Sequence, residues 1–139
     1  MTTATLQTAT RPTTGKISWG RIVLTAFLLE VVLFVVLVPI GQVFGNSVFF
    51  VVVPIGCFVF GFLAGMWVVR KLLSRFLLHG TLVGIIATLL YLGLCAMAPG
   101  SIPAAVAVYG LPLFVLSNGL RIAGCVAGAC SRGFSPRSV

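Results

Sequence analysis

Long apolar runs, separated by short breaks of glycine or polar residues, dominate the chain from residue 18 onward. Continuous apolar runs replace the alternation that a transmembrane barrel requires. A run of about 20 apolar residues is what crosses roughly 30 Å of hydrocarbon at ~1.5 Å per residue. Four such spans are predicted, at about 22–40, 48–69, 76–98 and 104–130. Trp19 and Arg21 precede the first and Trp67 closes the second, where interfacial anchors belong. The connections "GQVFGNS", "RKLLSR" and "GSIP" are short, so consecutive helices should lie side by side and antiparallel. The fold class expected is therefore all-α: a polytopic integral membrane protein whose residues 18–130 form a compact four-transmembrane-helix bundle. The fourth span is the longest, at roughly 40 Å, and must tilt, kink at Pro112 or begin in the interface.

Composition agrees with this reading. Hydrophobic residues make up 60% of the chain and charged residues only 7%, too few to give a soluble domain its charged shell. Residues 1–17 contain seven threonines in their first fourteen positions and read as a disordered cytoplasmic tail; residues 131–139 read as a second one. The first apolar run is too long for a signal peptide's h-region and lacks a small-residue cleavage site.

Charge sets the orientation. Arg11, Lys16 and Arg21 precede span one; Arg70, Lys71 and Arg75 join spans two and three; Arg132 and Arg137 follow span four. The other two connections carry no charge. Eight of the nine basic residues thus fall on one side, which the positive-inside rule makes cytoplasmic, with both termini there. The net charge of +8 points to anionic lipid headgroups rather than nucleic acid, because the basic residues lie between apolar runs and form no patch with interleaved aromatics. A bacterial inner membrane is the location expected.

Three pairs of glycines lie four residues apart: Gly61 with Gly65, Gly80 with Gly84, and Gly124 with Gly128. Each pair shares a helix face that a neighbouring backbone can approach. Packing inside the bundle is the first use for such faces, and self-association or docking on another membrane protein is the second. The spacing of Gly56, Gly61 and Gly65 repeats in Gly119, Gly124 and Gly128, so a duplicated helix pair fits as well. In span three, Thr81, Gly84, Thr88, Tyr91 and Cys95 form a stripe expected to face the interior.

Chemistry is sparse. Cys57, Cys95, Cys125 and Cys130 form no CxxC or Cys/His cluster, so neither a metal site nor a cofactor is expected, and the thiols read as small apolar residues. His79, the single histidine, reads as an interfacial residue close to Arg75. One His, one Glu and no Asp leave little from which to build an enzyme.

The exception is a pair of charges within the apolar spans. Glu30, the chain's single carboxylate side chain, lies nine residues inside Arg21, about 13 Å along span one. Arg121 lies nine residues before Cys130 in the oppositely directed span four, which brings both to mid-membrane. A lone charge at that depth costs about 2.5–3.5 kcal/mol even on insertion scales, so a Glu30–Arg121 pair is the first expectation. Asn118, one turn from Arg121, together with Thr88 and Tyr91 could complete a network. The alternatives are a titrating proton or cation site at Glu30, an Arg121 that reaches towards the headgroups, and contact with a partner protein.

"FLLEVVLF", with its glutamate in the first of four short spans, resembles the small multidrug resistance exporters. That resemblance implies a role for Glu30 in proton/cation exchange. Strong charge asymmetry and a buried arginine depart from that family's pattern. "GFLAGMWVVRKLLSRFLLHGTLVG", Gly61 to Gly84, resembles the glycine-rich hairpin of small four-helix bacterial membrane proteins with no assigned function, and implies architecture only. The functional expectation is an interaction or accessory subunit of a membrane assembly, its packing fixed by a Glu–Arg pair. The alternative is a small proton-coupled transporter or exporter.

Overall fold

A computed structural model describes residues 17–70, 72, 75–97, 106–107 and 110–133; the side chains at 46, 49 and 132–133 fall outside that description. The expectations for residues 1–16, 98–105 and 134–139 lie outside it too. Four helices are long and apolar enough to cross a membrane, and among the described residues there is no strand. They are α1 (Trp19–Gly45), α2 (Phe50–Val68), α3 (Phe76–Met97) and α4 (Leu111–Gly133). Helix is the stable choice here because backbone groups out of reach of water must bond within their own segment.

Two stretches add detail to the predicted spans. The first connection, expected over residues 41–47, is helical almost throughout; the chain turns at Gly45, whose φ of 77° and ψ of 176° interrupt an otherwise continuous helix. Only glycine adopts that backbone region without strain, so a single residue makes the corner that a loop was expected to make. Within the fourth span, expected from residue 104, residues 106–107 are helical and α4 starts at Leu111. Gly110 stands before it at φ 73° and accepts a hydrogen bond from the Phe114 N–H at 3.1 Å. Pro112 is the second residue of α4, where a missing N–H removes no intrahelical bond, so no kink is required of it. Pro39 and Pro54, by contrast, lie inside helices.

Helix α4 touches each of the other three. It runs parallel to α2, and glycines set that contact. A Cβ on Gly61 would stand 2.7 Å from the Arg121 carbonyl oxygen, and one on Gly65 would strike the Cys125 carbonyl. Reciprocally, Gly124 faces the backbone of Phe58 and Phe62, and Gly128 that of Phe62 and Met66. The two glycine pairs thus stand in a local two-fold relation, each receiving the other helix's backbone in the same register. On another side of α4, Gly80 meets Cys125 and Ala129, while Gly84 meets the Ile122 Cα, with α3 running antiparallel. With lipid outside as apolar as the interior, close backbone approach and dispersion carry this packing.

The core runs the length of the bundle: Ile22, Ala26, Leu29, Leu33 and Leu37 of α1, Cys57 and Val68 of α2, Val83 and Ala87 of α3, and Cys125 and Ala129 of α4 are all buried. The α1 members recur every three or four residues, which is one helix face. Phe27, Phe34 and Val35 stand off that face and are exposed. Ile17, assigned from the sequence to the tail, packs against the core.

Candidate functional site

The helix faces just described bring the two buried charges together. Arg121 Nη1 lies 3.0 Å from Glu30 Oε1, and both side chains are more than nine-tenths buried. The atoms are in ion-pair contact without the alignment of a hydrogen bond: Glu30 Oε1, Arg121 Nη1 and Arg121 Nε have no hydrogen-bond partner among the described residues. Proximity and alignment differ here, and the proximity decides the pairing, because Coulomb attraction depends on distance far more than on angle.

Arg121 makes two further contacts. Its Nη2 points at Cys57 Sγ on α2, 3.9 Å away, and its Cζ lies over the Tyr91 ring on α3, 4.8 Å from the centroid. One guanidinium on α4 therefore meets a carboxylate on α1, a thiol on α2 and an aromatic face on α3. Arginine's planar, multi-donor head suits such a position, since its edge bonds while its face stacks. The Tyr91 ring also lies 6.0 Å from that of Phe114, continuing the α3–α4 contact.

The residues expected around the pair behave differently from one another. Tyr91 belongs to the site as described. Asn118 does not bond to the pair; its Nδ2 donates to the Phe114 carbonyl at 2.8 Å, and its buried Oδ1 has no hydrogen-bond partner. Thr88 Oγ1 is likewise buried without a hydrogen-bond partner. Cys57 was not among the candidates, and no signal in one sequence would have added it. A thiol within an apolar span reads as a small apolar residue until the fold shows what lies opposite.

His79 lies close to Arg75, as expected, and is buried within the bundle, with 1% exposure. Its Nδ1 donates to the Arg75 carbonyl at 2.9 Å, and its backbone N–H reaches the same oxygen at 3.2 Å, closing the first turn of α3. Among the described residues no three His, Cys, Asp or Glu side chains gather where a metal could bind, and no disulfide joins the cysteines. Comparison with known proteins finds no matching family model, no matching curated protein and no matching solved structure.

Proposed function

We propose that this protein is a small interaction or accessory subunit of a membrane assembly, with the Glu30–Arg121 contact holding its helices in one packing. The observation that carries the reading is the engagement of Arg121 with all three other helices. The chain's single carboxylate side chain already faces a fixed cation, which would compete with any cationic cargo. A carrier that cycles its glutamate between proton and cargo is less well served by such a neighbour, and catalysis has no part in the proposal.

In this reading the connection between α2 and α3 lies on the cytoplasmic side of a bacterial inner membrane with both termini, supported by the eight basic residues that gather there. Anionic headgroups are its partners on that side. Other membrane proteins, or further copies of the chain, would dock on its apolar outer faces.

Extraction from the native membrane in mild detergent tests the proposal, through particle size and the identity of co-purifying proteins. Stoichiometric partners are expected. A particle of this chain alone would overturn the accessory role and favour a self-contained carrier, in which Glu30→Gln abolishes transport while the fold survives.

A further inference from the structure

Hydroxyls inside a membrane helix have an acceptor at hand, the carbonyl one turn back. Four hydroxyls among the described residues use it: Thr25 donates to the Arg21 carbonyl at 2.6 Å, Thr81 to that of Leu77 at 2.9 Å, Ser117 to that of Leu113 at 2.9 Å and Ser131 to that of Gly128 at 2.8 Å. Thr88 does not, although its hydroxyl is buried. The α3–α4 register explains where it lies. Gly80 meets Cys125 and Ala129, Gly84 meets Ile122, and Tyr91 meets Phe114 and Arg121. Thr88, between Gly84 and Tyr91, therefore falls level with Asn118.

Of the buried polar atoms without hydrogen-bond partners among the described residues, all but His79 Nε2 thus fall within about one helical turn of the Glu30–Arg121 contact along the bundle: Thr88 Oγ1, Asn118 Oδ1, Arg121 Nε and Nη1, and Glu30 Oε1. The set is mixed. Two guanidinium nitrogens donate, a carboxylate and an amide oxygen accept, and the hydroxyl does either. Its formal charges cancel, which disfavours a bare cation or anion as the occupant. A small neutral molecule that both gives and takes hydrogen bonds fits every atom, and water is the one with ready supply.

We infer that the bundle binds internal water at mid-membrane, bridging Arg121 and Glu30 to Asn118 and Thr88 beside the Tyr91 ring. Buried water of this kind makes about three hydrogen bonds to groups that otherwise lack partners. The inference rests on the Glu30–Arg121 contact and is independent of any partner.

Hydroxyl-radical footprinting by X-ray radiolysis in ¹⁸O-labelled water, on the full chain in lipid nanodiscs, tests it. Radicals react where bound water forms them, so Tyr91 reports on the site, and Phe34, 69% exposed on the outer surface of α1, reports on lipid. After correction for intrinsic reactivity, Tyr91 should be labelled several-fold faster than Phe34, because the bound water sits at hydrogen-bonding range of its neighbours. Equal rates overturn the inference. The near-isosteric pair Thr88→Val and Asn118→Leu should bring Tyr91 labelling down to the Phe34 rate; a folded variant with unchanged labelling also overturns it. Should that variant not fold, the comparison within the wild-type chain still decides.

Discussion

Removing either charge of the Glu30–Arg121 pair tests the central claim about packing. At 3.0 Å and an effective dielectric of about 20, the Coulomb attraction is ~5–6 kcal/mol, most of it offset by the cost of holding both charges away from water. Truncating one partner of a buried pair exposes that hidden cost. Glu30→Gln should destabilise by about 3 kcal/mol, because a guanidinium cannot shed its charge and neither Cys57 nor Tyr91 supplies a countercharge. Arg121→Gln loses the ion contact and the ring stack together, which adds about 1 kcal/mol and brings the loss to about 4. The double variant should cost about 4–5 kcal/mol, a coupling of about 2–3, since neither amide strands a charge. Cys57 and Cys125, at 2% and 0% exposure, supply the assay. Both should react with a thiol reagent only when the helices part, so site-resolved mass spectrometry of labelling rates in lipid reads the opening equilibrium. Coupling under about 0.5 kcal/mol would mean the two residues act independently, and the pair would then not fix the packing.

Three further outcomes follow from the same contacts. Gly65→Ala and Gly128→Ala drive a Cβ into the backbone of the facing helix and should each cost more than about 2 kcal/mol, whereas Gly93→Ala and Gly119→Ala meet nothing within 4 Å and should be neutral or gain up to about 1 kcal/mol in helix propensity, by unfolding in mixed micelles. Gly45→Ala places a side chain at φ 77° and should destabilise the α1–α2 corner by about 1–3 kcal/mol, visible as faster thiol labelling of Cys57. Tyr91→Phe should keep most of the contact with Arg121 and Tyr91→Leu should lose about 0.5–2 kcal/mol of stability; equal losses from the two would argue that the hydroxyl, rather than the ring face, matters.

Apolar run lengths alone located the four spans and placed Glu30 and Arg121 at one depth, because bilayer thickness and helix rise are fixed lengths that convert residue count into position. The same arithmetic missed two local features. It read "GQVFGNS" as a loop, and hydropathy has no term for a single glycine turning a corner between helical turns. It also ran span four on from residue 104, whereas α4 starts at Leu111, set off by the positive φ of Gly110 from the helical residues 106–107. A four-residue spacing of glycines announced close helix approach, while the choice of partner was settled by three-dimensional register: Gly61 and Gly65 of α2 and Gly80 and Gly84 of α3 all meet α4. Depth was legible because it is a one-dimensional quantity. The meeting of Arg121 with Glu30, Cys57 and Tyr91 depends on how each helix is rotated about its own axis, and that is fixed only when all four pack together.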